Sequence, residues 1–226
     1  MQDLNTVPKS LEEIFPRWKD LTSAEREEIK GATRERFFKK GQVLHHGGED
    51  CAGLFLVKEG QIRVFLVSDT GKEITLYRLF GWDICLFSAA CVMKNIDFDM
   101  HIEAEKDTVA YVVPPRLYEK LMATSLPIAD YTGGLMAARF SDVMWTMGKM
   151  LFARFDSRLA LFLLEQSVIE GGSILRFTHD EIARHMGSAR EVVTKMLNQF
   201  AKDGLVTLSR GKIILNDMDK LRAMAR

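Results

Sequence analysis

Apolar positions change their period along this chain, and each change predicts a different kind of element. Leu11, Ile14, Phe15, Trp18 and Leu21 predict a short helical lead-in. Thr22-x-x-Glu25 has the spacing of a capping box, in which side chain and backbone cap one another, and it opens a second short helix. From about Arg36 to Val113 the apolar residues come in short runs instead: Gly53–Val57, Gln61–Val67, Glu73–Leu79, His101–Ala104 and Val109–Val113. Lys40-Gly41, Gly47-Gly48, Glu59-Gly60 and Asp69-Thr70-Gly71 separate them with turn chemistry. Short strands punctuated by glycine predict an antiparallel sandwich or barrel. Glu59-Gly60 and Thr70-Gly71 are read as hairpin turns.

Pro114-Pro115 ends that region, and a short helix over 116–124 follows. From about Pro127 to Phe152 the period lengthens. Ala129, Gly133, Met136, Phe140, Val143, Met147 and Met150 alternate spacings of four and three, the seam of a helix packed lengthwise on a partner. Arg139, Ser141, Asp142 and Lys149 fall off the seam. Such a helix would be about 37 Å long. Pairing with a second copy, through Met136, Phe140, Val143, Met147 and Met150, is the reading adopted; a buried helix within one chain is the alternative. Phe155-Asp156 reads as a hinge, with Asp156 capping a helix over 157–170 that Gly171-Gly172 stops.

The most specific stretch is Phe177–Leu205. Thr178 and Glu181 have capping-box spacing, Ile182, Ala183 and Met186 form a short apolar face, and Gly187 breaks the helix. Ser188 is read as the cap of a second helix, with Glu191 three residues on and a buried face of Val192, Val193, Met196, Leu197 and Phe200. Two short helices around a glycine turn predict a helix-turn-helix. In that motif the second helix enters the major groove with its N-terminal residues against base edges. Small Ser188 and Ala189 let the helix end approach phosphate. Arg190 suits guanine O6/N7 and Glu191 a cytosine amino group. Thr194 and Lys195 lie on the same helix, with Thr178 and His179 at the start of the preceding one, completing the expected DNA contacts. Two runs, 206–209 and 212–215, flank Arg210-Gly211 and read as a hairpin wing.

With these parts in this order, nearly the whole chain resembles the CRP/FNR family of bacterial transcription regulators. The strongest match is Thr178–Gly204, with G-S-A-R-E-V-V-T-K at Gly187–Lys195 in the place of the recognition helix. The resemblance implies an α+β fold: a cyclic-nucleotide-binding-type, jelly-roll-like β-roll, a long dimerisation helix and a C-terminal winged helix-turn-helix. The boundaries are set at 1–125, 126–154 and 155–226. Arg190, Glu191 and Lys195 fall at the family's base-reading positions. Lys195 replaces a common arginine, which removes the two-pronged donor. The implied operator is an inverted repeat with half-sites near TGTGA or TTGAT, and RNA polymerase is an implied partner.

Within that family, cyclic-nucleotide binders grip the phosphate with an Arg-Ser or Arg-Thr pair. Here that position falls near Phe98-Asp99, one lacking a donor and the other repelling an anion. Cyclic AMP is therefore not expected. Oxygen-sensing members carry an N-terminal cysteine cluster, whereas this chain has three cysteines in all, Cys51, Cys85 and Cys91, so no iron–sulfur centre is expected. Asp83, Cys85, Ser88 and Cys91 are the candidate effector or redox residues, small buried hydrophobes being the plainer reading of the cysteines. Trp82, Phe87, Phe98 and the methionines of the long helix either line an apolar effector pocket or simply pack. His45-His46 with Cys51 could be soft metal ligands, but adjacent strand residues face opposite ways, so no metal is expected.

Composition adds bounds. Of 226 residues 47% are hydrophobic and 27% charged, with 31 basic and 31 acidic residues, so overall charge favours neither nucleic acid nor membrane. Charge is more informative locally: 184–212 holds Arg184, Arg190, Lys195, Lys202, Arg210 and Lys212 against Glu191 and Asp203. Sparse cysteines, no visible signal peptide and no long apolar span predict a cytoplasmic protein off the membrane. Neither a nucleophile–base constellation nor a phosphate loop is visible, so no catalytic residue and no enzyme activity are expected. The reading is a homodimeric DNA-binding regulator governed by an unidentified effector or redox signal and needing no cofactor. A constitutive regulator without a ligand, and a small-molecule-binding β-barrel with an accessory helical domain, are the rivals.

Overall fold

The computed structural model describes residues 10–46, 52–92 and 100–225, with the side chains of 90–92 excepted. Gly47-Gly48, Cys51, Phe98-Asp99 and the Cys91 side chain lie outside the described residues. The chain divides into two compact units, Met1–Val67 with Leu76–Val143, and Ser68–Thr75 with Met144–Arg226. The division falls inside the long helix rather than at either of its ends.

Two four-stranded sheets build the first unit's roll, in orders β1-β8-β3-β6 and β2-β7-β4-β5. The strands are β1 (Arg34–Phe38), β2 (Val43–His45), β3 (Leu54–Glu59), β4 (Ile62–Val67), β5 (Glu73–Leu79), β6 (Ile84–Cys85), β7 (Met100–Ala104) and β8 (Thr108–Val113). The apolar runs of the sequence account for β3, β4, β5, β7 and β8. Short, polar β1 and β2 and two-residue β6 carry too little pattern to announce themselves.

Along β3 the two-residue period of a strand buries both faces. Phe55 and Val57 enter a core with Ile62, Val64, Leu79, Ile102 and Ala110, drawn from both sheets. Leu54 and Leu56 point the other way, into a cluster with Ile29 of α2 (Ser23–Ala32), Leu117 and Leu121 of α3 (Pro115–Thr124), and Ile128. The Thr22–Glu25 capping box opens α2 as expected.

One expected hairpin is corrected. Glu59-Gly60 joins strands of different sheets, so the chain crosses over there. Gly60 has φ +99°, and a Cβ on it would collide with the Asp107 carbonyl oxygen. Thr70-Gly71 does join neighbouring strands, β4 and β5.

The long helix α4 runs Leu126–Phe152, 27 residues or about 40 Å. Its seam differs from the expected one. Met136 and Val143 are half-buried and pack in part against their own chain's roll. Phe140 and Met147 are exposed, Met150 is half-buried, and Met144, Trp145, Leu151 and Phe152 are exposed besides. Gly133, Ala137, Phe140, Met144, Met147 and Leu151 form an exposed row that alternates four and three just as well. Two registers thus overlap on one helix, sharing Gly133, Phe140 and Met147, and the roll touches Met136 and Val143 of the first.

Charge is buried inside the roll. Arg63 on β4 is fully buried, opposite Glu103 on β7, with Nη1 donating to the carboxylate at 2.9 Å and the guanidinium 4.1 Å over the Phe65 ring. Arg78 donates to Glu105 through Nε at 2.7 Å and Nη2 at 3.1 Å. Arg63→Ala empties a fully buried site and leaves half-buried Glu103 without this partner, and is expected to cost about 3 kcal/mol. Arg63→Met combined with Glu103→Gln is expected to cost less. Urea unfolding of the three proteins checks both.

Candidate nucleic-acid interface

The second unit is built around one apolar cluster. Leu159, Phe162 and Leu163 of α5 (Phe155–Ile169) meet Ile182 and Ala183 of α6 (His179–His185), and Val193, Leu197 and Phe200 of α7 (Arg190–Lys202). The wing strands β10 (Val206–Ser209) and β11 (Lys212–Leu215) pair antiparallel, β9 (Ile174–Leu175) extends them, and α8 (Met218–Met224) closes the unit. Asp156 does not cap α5, which starts one residue earlier behind Arg154. The Asp156 carboxylate instead takes the Ser157 amide at 2.9 Å and pairs with Arg154 at 3.1 Å.

Threonine chemistry starts α6. The Thr178 hydroxyl accepts the Glu181 amide at 3.2 Å, and the Glu181 carboxylate accepts the Thr178 amide at 2.6 Å, a closed capping box. Thr178 therefore serves the fold, with its polar atoms taken. His185 at the other end of α6 is buried and stacks on Phe162 at 5.7 Å. The turn that follows is held from below by Arg158 of α5, which donates to the Met186 carbonyl at 2.8 Å. Gly187 has φ +62°, the left-handed conformation that reverses the chain between α6 and α7.

Ser188 is corrected as a cap: α7 begins at Arg190, with Ala189 in the cap position and no side chain filling it. The first amides of α7 are left facing outward with a methyl-sized neighbour, an arrangement suited to phosphate. Val193, Leu197 and Phe200 recur at four and three and bury one face. Val192, also expected inside, is 44% exposed. Arg190, Glu191 and Lys195 project from the exposed side. Arg190 is 63% exposed and rests 3.4 Å from Asp180, an exposed pair of little energetic worth. Half-buried Thr194 is tied to His179 of α6 at 2.9 Å, so these two residues fix the angle between the helices as well as lining its N-terminal end.

The expected effector residues fare differently. Cys85 is fully buried between the sheets, where loss of hydration pushes its thiol up to about 11. A thiol so placed is not redox-reactive, and that expectation is corrected for Cys85. Ser88 is also buried, donating to the Cys85 carbonyl at 2.6 Å and accepting the Phe55 amide at 3.2 Å, which makes it a structural clamp. Phe87 belongs to the same inter-sheet core. Asp83 faces charge: its carboxylate accepts the Phe80 amide at 2.9 Å and lies 3.9 Å from Arg139 of α4. Sequence reasoning missed Arg139, a cation in an apolar stretch set aside as lying off the seam. Among the described residues no group of three or more acidic, His or Cys side chains is placed to hold a metal ion. Nor is any described helix long and apolar enough to cross a membrane.

Comparison with known proteins matches both units. The model of the cyclic nucleotide-binding domain matches residues 35–125, and that of the Crp-like helix-turn-helix domain matches 157–224. The chain is 40% identical over 198 residues to the transcriptional regulator SdrP of Thermus thermophilus, covering 83% of this chain and 92% of that one. Over 192 residues it is 24% identical to a cyclic AMP receptor protein of the same organism, covering 85% and 88%. The crystal structure of a putative Crp/Fnr-family transcriptional regulator from Eubacterium rectale is similar with a TM-score of 0.93 at 48% identity, covering 95% and 99% of the two chains.

At pH 8 the buried Cys85 thiol is expected to stay protonated. Iodoacetamide is expected to spare Cys85 in the native protein and to alkylate it in denaturant, as peptide mass mapping will record. Native labelling at the rate of a free thiol would contradict the burial.

Proposed function

This chain belongs to the CRP/FNR family of transcription regulators, and from that premise we propose that it acts as a homodimer reading an inverted-repeat operator through α7. The observation that carries the reading is the outward face of α7, where Arg190, Glu191 and Lys195 stand exposed beside an uncapped helix N-terminus. Two such helices, one per copy, would enter successive major grooves one helical turn apart. The exposed row Phe140, Met144, Met147 and Leu151 on α4 supports pairing of two copies along that helix, since contiguous apolar residues of this size seldom face water. The family is one of transcription regulators rather than enzymes. An effector bound in the first unit would shift DNA affinity only as far as it favours the DNA-competent arrangement. RNA polymerase, in the cytoplasm, is the partner through which a bound regulator of this kind would act.

Selection of duplexes from a random pool is expected to enrich an inverted repeat; failure of a folded dimer to enrich any sequence, with or without cell extract, would overturn the reading. Arg190→Ala is expected to cost about 1–3 kcal/mol of binding and to relax preference at one base pair, read by competition among single-base operator variants. An equal loss on every sequence would remove Arg190 from base reading. Phe140→Glu and Leu151→Glu are expected to yield monomers in analytical ultracentrifugation, whereas dimers of unchanged stability would move the interface elsewhere.

A further inference from the structure

Val192 is the aliphatic side chain of α7 that the core leaves out. Val193, Leu197 and Phe200 are buried and seat the helix, whereas Val192 is exposed. Each step along a helix turns the side chain by about 100°, which carries Val192 off the buried stripe. Glu191, Lys195 and Gln199 are exposed too, and Lys195 and Gln199 follow Val192 at helical spacing along one side. The position gains nothing locally from being valine. A β-branched residue loses rotamer freedom in a helix, and an exposed site rewards a polar or straight-chain residue more.

The neighbours divide the work of recognition by their chemistry. Of the side chains that start α7, Val193 is buried and half-buried Thr194 is tied to His179 at 2.9 Å. Arg190, Glu191, Val192 and Lys195 are left on the outward side. Three of these are charged, and so suited to the donors and acceptors on base edges or to phosphate. Val192 has neither donor nor acceptor beyond its backbone. The major groove offers such a side chain one apolar partner, the C5-methyl group of thymine. Contact between the two takes both surfaces out of water. Cytosine at the same place would present a hydrogen-bonding amino group that valine cannot accept.

We propose that Val192 is a specificity-determining residue that selects a thymine in each half-site by contact with its C5-methyl group. The proposal rests on reading α7 as the recognition helix, and it adds a base preference that the charged residues do not supply. The thymine lies beside the base pairs within reach of Glu191 and Lys195.

Uracil is thymine without that methyl group, and its hydrogen-bonding edge is otherwise the same. Deoxyuridine is therefore placed at each thymine of the selected operator in turn, and binding of the full-length protein is measured by competition. One thymine per half-site is expected to respond, with binding weakened about three- to fivefold by substitution in one half-site and about tenfold or more in both. Val192→Ala is expected to weaken binding to the thymine operator by a similar factor and to remove the difference between thymine and uracil at that position. Val192→Thr, which keeps one methyl, is expected to retain part of the difference. Because the side chain is exposed, both variants are expected to melt as the unaltered protein does. Should either fold poorly, the uracil scan of the unaltered protein decides.

An operator with no uracil-sensitive position, a folded Val192→Ala protein that keeps the full sensitivity, or an equal loss on every sequence would each overturn the proposal and leave the operator reading standing. Failure to enrich any operator would overturn that reading, and this proposal with it.

Discussion

Burial of both faces of β3 is the constraint on which the first unit depends. Phe55 and Val57 close the space between the two sheets, while Leu54 and Leu56 supply the surface on which α2, α3 and the start of α4 settle. A one-residue slip would exchange the two sets. The helical cluster reaches α4 through Ile128, which is fully buried, so the same strand that organises the roll also sets where the long helix begins. Further along, Met136 and Val143 touch the roll on one side of α4. That contact turns Arg139 toward Asp83 and leaves Phe140 and Met144 facing outward.

In the second unit a comparable economy operates on a smaller scale. A helix of 13 residues, α7, must serve a core with one face and water or DNA with the other. Val193, Leu197 and Phe200 are enough to seat it, because α5 and the wing strands close the same cluster from the other sides. Arg158 and Gly187 hold the turn, and the Thr194–His179 hydrogen bond fixes α7 against α6. A reading helix needs such rigidity, since contacts to base edges reward only a side chain delivered at the right angle and depth. The exposed Arg190–Asp180 pair is the part free to change partners, because a solvent-screened ion pair holds it weakly.

Much of this was legible in the residues. Local chemistry decides a capping box, a glycine reversal or an alternating strand, and for these the structure agrees with the pattern: Thr178 with Glu181, Gly187, the wing at 206–215, and the apolar runs of β3, β4 and β5. Residues three and four apart on a helix are neighbours whatever the helix packs on, so α4 and the buried stripe of α7 could be drawn from spacing alone.

Tertiary structure decided what spacing leaves degenerate. On α4 two heptad rows are equally apolar, and only the seating of the helix on the roll shows that Met136 and Val143 are partly covered while Met144 and Leu151 are exposed. Glu59-Gly60 has the composition of a hairpin turn, yet it carries the chain from one sheet to the other, a distinction made by partners distant in sequence. Cys85 and Asp83 look equally eligible in a loop; burial makes one an inert thiol and leaves the other beside a cation from 56 residues away in the chain. Sequence by itself determined most of the elements, their order and the helix-turn-helix, because those follow from interactions within a few residues. The direction each side chain faces, and so the charge at Arg139, belongs to the tertiary structure, because burial is a property of the neighbours that the fold supplies.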